Sequence, residues 1–322
     1  MPGTSVNPLV SIVIVNYNGI HFLEDCLPAI FSQNYCPFEV ILIDNASADG
    51  SVDYVRKQFP DVKITLQQKN LGFSGGANAG IREAQGEFIL TMNPDTTVTP
   101  EFIVELVKPM TDPKVGMCAP KMILPNGRIN STGICISRSG AAWDRGMNED
   151  DDGMYDRAGE VFGPCGGAAL YRRAMLDETG LFDEDFFLYM EDVDLAFRGQ
   201  LFGWKCLYVP TARVIHVHSG SVREESDLAV YHGNRNIIWY AFKNFPKRIL
   251  LTSFPWIIGR NIGVIPYYLI RGQGLVILRA KVDAVKGLRS MIRKRAGIQK
   301  NIRDRETGRW IQMWGFGSHA KK

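Results

Sequence analysis

The chain has no C-x-x-C pair. Its six cysteines, at 26, 36, 118, 135, 165 and 206, are scattered through 322 residues. Such spacing excludes the common zinc and disulfide frameworks and reads as reduced thiols. No basic segment precedes the first apolar run, and residues 11–15 are too few for a signal-peptide core, so the expected compartment is the cytoplasm. No stretch of about 20 apolar residues runs unbroken. The longest candidate, 249–270, is interrupted by Pro255, Arg260, Asn261 and Pro266, and a central arginine is costly inside a bilayer. Internal repeats and low-complexity tracts are absent. Acidic residues are scarce towards the end: 246–322 hold 17 Lys and Arg against 3 Asp and Glu, whereas 1–245 hold 20 against 31. The net charge of +3 therefore conceals a basic tail on an acidic body, and its natural partners are nucleic acid or an anionic membrane surface.

What is present is an ordinary globular composition, 45% hydrophobic and 22% charged. Residues 9–15 and 38–43 are short apolar, β-branched runs of the kind that form buried parallel strands. Helical spacing over 22–31 lies between them. The alternation continues with a helix near 50–59, a strand near 62–66, a helix near 76–84 and a strand near 87–92. The fold class is α/β with a mostly parallel sheet, whose ligands gather at the carboxyl ends of the strands. Asn16-Tyr17-Asn18, Asp44-Asn45 and Asn93-Pro94-Asp95 fall at those ends. Residues 127–156, rich in glycine and carrying the acidic cluster 149–152, read as a mobile, acceptor-side segment. Residues 159–245 return to mixed α/β character. Residues 275–295 alternate apolar and basic side chains, as an amphipathic helix lying on a membrane does.

Each polar group admits two readings. Asp44 can accept from the ring N–H of uracil or thymine with Tyr17 alongside, or it can cap a helix with Asn45 and Ser47. The run from Asn70 through Gly72, Gly75, Gly76 and Asn78 to Gly80 can bring backbone N–H groups to a phosphate, or it can allow close helix packing. It has neither G-x-G-x-x-G spacing nor a P-loop lysine. Asn93 and Asp95 suit a hard cation that keeps water and diphosphate ligands; they also make a good turn. His216 is either a further metal or diphosphate ligand or a structural histidine. In 183–198 aromatic residues lead into Glu191, Asp192 and Asp194. Asp192, at a helix start beside an apolar wall, could take the proton of an acceptor hydroxyl. Neighbours at i+1 and i+2 do not share a helix face, so Glu191 and Asp194 should pair or cap, Asp194 with Arg198.

Taken in order, these motifs resemble the family 2 glycosyltransferases of GT-A fold. They are Ser-Ile-Val-Ile-Val-Asn-Tyr-Asn at 11–18, Asp44-Asn45-Ala-Ser, Asn70-x-Gly-Phe-x-Gly-Gly-x-Asn78, Asn93-Pro94-Asp95, Gly166-Gly-Ala-Ala-Leu-Tyr-Arg-Arg173 and Glu191-Asp192. The resemblance covers roughly 9–245. It points to the rhamnosyltransferase-like bacterial branch through Asn93-Pro94-Asp95 and Tyr231-His-Gly-Asn-Arg235-Asn236. It implies inverting transfer from a nucleotide-diphosphate sugar, with dTDP-rhamnose the expected donor and UDP-hexoses the alternative. The expected acceptor is a glycan or a polyprenyl-diphosphate-linked sugar. Asn16, Tyr17, Asn18, Asp44, Asn45, Gly72, Asn78 and Asn93 would line the donor side. Asp95 and His216 would hold Mg²⁺ or Mn²⁺, and Asp192 would be the base. Glu191, Asp194 and Arg235 would support the acceptor side. Asn93 departs from relatives that carry a carboxylate there.

The domain division that follows is 1–245 for the transferase and 246–322 for a helical, membrane-associating tail. The tail would sit on the inner face of the cell membrane, with no role for nucleic acid, and deleting it is expected to leave the fold largely intact. A processive synthase would carry a Gln-x-x-Arg-Trp motif and clear spanning helices. A pyrophosphorylase would carry a lysine-bearing glycine loop near the first strand. Neither pattern is present. A catalytically silent glycan- or membrane-binding scaffold would not need both Asp95 and Asp192.

Overall fold

The computed structural model describes residues 7–217, 226–298 and 307–313. The first half is built as the apolar runs require: β1 (Val10–Asn16), α1 (Ile20–Phe31), β2 (Phe38–Asp44), α2 (Ser51–Gln58), β3 (Lys63–Leu66), α3 (Gly72–Glu83) and β4 (Phe88–Met92). These strands lie in the order β4-β1-β2-β3, all parallel. Both faces of β1 are buried, so its residues do not alternate in polarity: Val13 packs with Ile41, Ile43 and Ala77 on one side, Ile12 and Ile14 with Leu23 and Leu42 on the other.

The second half extends the sheet. It runs through β5 (Thr96–Val98), α4 (Phe102–Val107), β6 (Val115–Ile123), β7 (Ile129–Ser131), β8 (Ile134–Ser137), β9 (Ala142–Asp144), β10 (Gly159–Val161), β11 (Ala168–Arg172), α5 (Arg173–Thr179), α6 (Glu191–Leu201) and β12 (Lys205–His216). β11 is inserted antiparallel between β4 and β6, and β12 lies parallel to β6. The order reverses beside β1, which is where a sheet of this kind opens a crevice.

Residues 127–156 are folded, which corrects the expectation of a mobile segment. β7 joins the main sheet, β8 and β9 form a hairpin, and Asn130, Ser131 and Thr132 are buried. The acidic cluster has a structural reason. Lys121, wholly buried in β6, is neutralised by Asp151 and Asp156, and Asp151 also receives Arg213 at 2.8 Å.

Beyond β12 come α7 (Asp227–Asn244), α8 (Lys247–Ile270), α9 (Gly274–Ile298) and β13 (Ile311–Gln312), the last paired with β8. Packing crosses the compositional boundary at 245. α9 lies along α7 and gives Ala284, Met291 and Ile298 to the core that also holds Phe186 and Tyr240. Gly287 permits the approach: a Cβ there would stand 2.4 Å from the Trp239 ring, whose Nε1 donates to the Ala284 carbonyl at 2.9 Å.

Candidate active site

Three chain segments leave the carboxyl ends of β1, β2 and β4 side by side. Asn16 and Asp44 are register partners at the ends of β1 and β2. The Asn16 amide is buried and donates to Asp44 Oδ1 at 3.1 Å and Ser51 Oγ at 2.9 Å, so it ties the loops together. Asp44 Oδ2 accepts from the Ser47 backbone at 2.9 Å, and Asn18 Oδ1 accepts from Ala48 N–H at 2.7 Å. These bonds shape the loops and cap no helix, since α2 opens after Gly50 without a side-chain cap. A carboxylate has about four acceptor sites, so Asp44 retains capacity for a ring N–H. Asn45 donates to the Gly72 carbonyl at 3.0 Å, and its buried Oδ1 has no hydrogen bond among the described residues. Tyr17 stands at the rim, 46% exposed.

The glycine run is chiefly a packing device. α3 begins at Gly72, four residues earlier than its expected start, and its glycines lie against the sheet. A Cβ on Gly76 would come 2.6 Å from Val15 Cγ1, and one on Gly80 would come 2.4 Å from Val13 Cγ1. Gly72, at φ +69°, is seated against Phe187, whose carbonyl would be 2.2 Å from an added Cβ. Asn78 does not belong to an open nucleotide wall. Its amide donates to Phe182 O at 2.8 Å and Glu184 Oε1 at 2.9 Å, and its oxygen accepts from Phe182 N–H at 3.0 Å. It fastens the segment leading to the carboxylates.

β5 turns back after Asp95 and pairs with the end of β12, His216 opposite Thr96. That pairing sets His216 Nε2 3.3 Å from Asp95 Oδ1, with both side chains nearly inaccessible. The other ring nitrogen, Nδ1, lies 2.7 Å from Asn130 Oδ1 on β7. An amide oxygen only accepts, so Nδ1 is the nitrogen that donates to Asn130, and Nε2 is the one turned to the Asp95 carboxylate. Asp95 and His216 would be the residues to hold a divalent cation, and an oxygen on the far nitrogen is the usual support of a metal-binding histidine. Among the described residues no group of three or more His, Cys, Asp and Glu could hold a metal ion. The pair fits a hard cation whose remaining ligands are diphosphate and water. Asn93 donates its backbone N–H to the Gly167 carbonyl at 2.9 Å.

Gly166 and Gly167 join this pair to the carboxylates. A Cβ on Gly167 would lie 3.0 Å from His216 Cε1, while Gly166 N–H donates to Asp192 Oδ2 at 2.8 Å. Asp192 Oδ1 accepts from Val193 N–H at 2.7 Å. Burial lifts the Asp192 carboxyl to about 6 despite the Gly166 N–H, and the Asp144 charge on β9 adds to the rise. Glu191 is more deeply buried, and burial with the adjacent Asp192 charge pushes it well above the carboxylate range. Its Oε2 has no hydrogen bond among the described residues. Glu191 therefore holds a proton while Asp192 ionises near neutrality.

Asp194 has a different task. Its carboxylate receives Arg198 at 2.9 Å, Lys243 at 2.8 Å and Asn244 at 2.7 Å, locking α6 to α7. Arg235 is a positioning residue. It donates to the carbonyls of Asp185 and Phe186 at 2.9 and 3.1 Å and lies 4.0 Å from the Trp239 ring centre. Asn236 donates to Phe186, Leu188 and Tyr189 carbonyls. Together they hold a loop in which Phe187, Tyr189 and Met190 have φ of 65°, 66° and 71°, a left-handed backbone that costs non-glycine residues about 1–3 kcal/mol each. Asn130, Asp144 and the roles of Gly166 and Gly167 were not foreseen. They come from short strands and a turn with no periodic signature.

The comparisons with known proteins agree with this geometry. Residues 11–180, more than half of the chain, match the family model described as glycosyl transferase family 2. The chain is 28% identical over 253 residues to an N-acetylglucosaminyl-diphospho-decaprenol L-rhamnosyltransferase of Mycobacterium tuberculosis, covering 70% of this chain and 81% of that one. It is 31% identical over 219 residues to an uncharacterized glycosyltransferase of Bacillus subtilis, YwdF, covering 67% and 77%. Among solved structures, GalNAc-T7 with UDP, GalNAc and Mn²⁺ superposes with a TM-score of 0.61 at 18% identity, over 74% of this chain and 48% of that one. The mannosyltransferase PcManGT of Pyrobaculum calidifontis with GDP-Man and Mn²⁺ superposes with a TM-score of 0.56 at 19% identity, over 95% and 90%. Loops gathered at the carboxyl ends of β1, β2 and β4, an Asp–His pair and a buried carboxylate thus meet a family match over residues 11–180, and the chain belongs to glycosyl transferase family 2, with the GT-A fold.

Proposed function

We propose that this chain is an inverting transferase that moves a sugar from a nucleotide diphosphate to a hydroxyl of a lipid-linked or polysaccharide acceptor. L-rhamnose from dTDP-rhamnose is the donor reading, and cell-surface glycan synthesis the setting. The observation that carries it is the Asp192 carboxyl, lifted to about 6 and held by two backbone N–H groups one residue away from the glycine that touches His216. A base so tuned accepts a proton at neutral pH without reorganising. The M. tuberculosis relative, named for rhamnosyl transfer to a decaprenyl-diphosphate-linked sugar, supports the donor and the acceptor class.

In this reading Tyr17 lies along the base and Asp44 accepts its ring N–H. Asp95 and His216 would hold Mg²⁺ or Mn²⁺, which when bound neutralises charge on the departing diphosphate; the Mn²⁺ in both structural relatives supports this. Asp192 takes the acceptor proton as its oxygen attacks the anomeric carbon from the face opposite the diphosphate, which inverts the centre. The basic tail brings the site to an anionic membrane surface on the cytoplasmic side, where a lipid-linked acceptor would be found.

The test is thermal stability against a panel of nucleotide sugars with and without Mn²⁺, since a ligand of the native state raises its melting temperature. A shift with dTDP-rhamnose that grows with metal and disappears in Asp44→Ala supports the reading. A metal-independent shift with a different nucleotide removes the donor and metal parts of it.

A further inference from the structure

In water a helix of a folded protein turns its apolar stripe inward and its polar residues outward. α8 departs from this. Its inward side carries Ile257 in the core, but also buried Ser253 and Asn261, and Asn261 Oδ1 receives the Lys281 ammonium of α9 at 2.6 Å. Outward stand Leu251, Phe254, Ile258, Ile262, Leu269 and Ile270, between 41 and 89% exposed. The neighbouring surface of α9 carries exposed Lys286, Arg289 and Arg293 on its outer side, together with Leu278, Val282 and Val285. An exposed apolar flank on α8, with exposed basic and apolar side chains on the α9 packed against it, matches the acyl–headgroup boundary of an anionic leaflet.

We infer that the outward face of α8 is embedded in the bilayer interface, with the helix lying along the membrane and not crossing it. The inference deepens the reading of a membrane-associated enzyme and rests on it for the acceptor's location only. By length α8 could span: 24 residues reach about 36 Å. Its connections forbid that while α7 remains part of the body. The start of α8 follows the end of α7 directly. At the far end Gln273 donates to Asp227 at the start of α7, at 2.9 Å. α9 then returns along α7. Both ends of α8 are therefore held on the same side, and the helix presents one flank to lipid. Charge alone would make attachment peripheral and salt-reversible; the buried apolar flank makes it persist in salt.

The experiment is co-sedimentation of the full chain with vesicles of anionic and of zwitterionic lipid, at low and at high salt. Wild-type protein is expected to bind anionic vesicles best and to keep a substantial fraction bound in high salt. Phe254→Ser/Ile258→Ser/Ile262→Ser should reduce vesicle binding at least tenfold at both salts. Its melting temperature and donor-induced shift should stay close to wild type, because none of these side chains belongs to the buried core. Complete release of the wild type by salt would overturn the inference, as would unaltered binding of the triple variant. A wild-type dimer that the triple variant converts to monomer, with vesicle binding unchanged, would assign the face to a second copy and also overturn it. A variant that binds vesicles poorly but keeps its donor shift supports the membrane face. Absence of any donor shift in wild type counts against the transferase reading instead.

Discussion

At the scale of single residues the site works by opposing environments. Asp192 and Glu191 are adjacent, and burial raises both, but only Asp192 has backbone donors pointed at both oxygens. One proton thus resides on Glu191 while the other leaves Asp192 near pH 6. Turnover should fall below about pH 6 with a single-proton limb in kcat/KM. Asp192→Asn should lower kcat by about 10³-fold while the donor-induced thermal shift is retained. The stability sign runs the other way. Because the folded value lies above the ordinary 3.8, the contribution of this group is full below pH 3.8 and is lost as pH rises through about 6. Urea midpoints across that interval should show the loss in wild type and a flatter profile in Asp192→Asn. Asn130 makes a sharper test of the Asp95–His216 pair. Asn130→Ala removes the acceptor that fixes the histidine tautomer, and Mn²⁺ affinity read by electron paramagnetic resonance should weaken 10–100-fold. Metal-free nucleotide binding should not change.

At the scale of elements, the loop between α5 and α6 is the part most dependent on distant support. Three left-handed, non-glycine residues would not persist alone. Gly72, Asn78, Arg235 and Asn236 hold it from two helices, and Asp183 anchors it between Lys243 at 2.7 Å and Lys294. Burial would raise the Asp183 carboxyl, but the two ammonium groups outweigh it and hold it near 2. The stability it supplies is present above pH 3.8 and is lost as pH falls through about 2. Asp183→Asn should cost about 2 kcal/mol at neutral pH, read as a lower urea midpoint, and flatten that acid limb.

Sequence patterns reveal these elements unevenly. β1, β2 and β4 were legible because burial on both faces leaves apolar runs with turn residues at their ends, and β3 and α2 followed from the alternation of strand and helix. The start of α3 was not: its glycines read as a loop until the sheet they touch is known. Asp95, His216 and Asp192 could be named because each follows or opens a regular element. Asn130 and Asp144 could not, since β7 and β9 are three-residue strands whose meaning lies in what crosses over them.

At the scale of the whole molecule, composition divides the chain at 245, but the packing does not. α9 supplies Ala284, Met291 and Ile298 to the main core and its Gly287 receives the Trp239 ring. Arg295 caps the end of α7 by donating to the Phe242 and Phe245 carbonyls at 3.0 and 2.5 Å. Lys294 reaches the loop that leads into α6 and Asp192. Removing 246–322 therefore does more than delete a basic tail. It uncovers Trp239 and Phe245, strips Asp183 of one cation and leaves two carbonyls of α7 without their cap. Losing several buried side chains of this size costs about 3–5 kcal/mol or more, a drop of about 10 °C or greater in a domain this large. The truncated chain is expected to melt at least that much lower, by calorimetry, and to lose kcat more than donor affinity, because the donor rim at β1 and β2 is remote from α9. A truncation that melts like the full chain would show the tail to be a separable appendage. The Ser substitutions on the outer flank of α8 provide the matched contrast: they alter the exposed apolar surface and leave every one of these inward contacts in place.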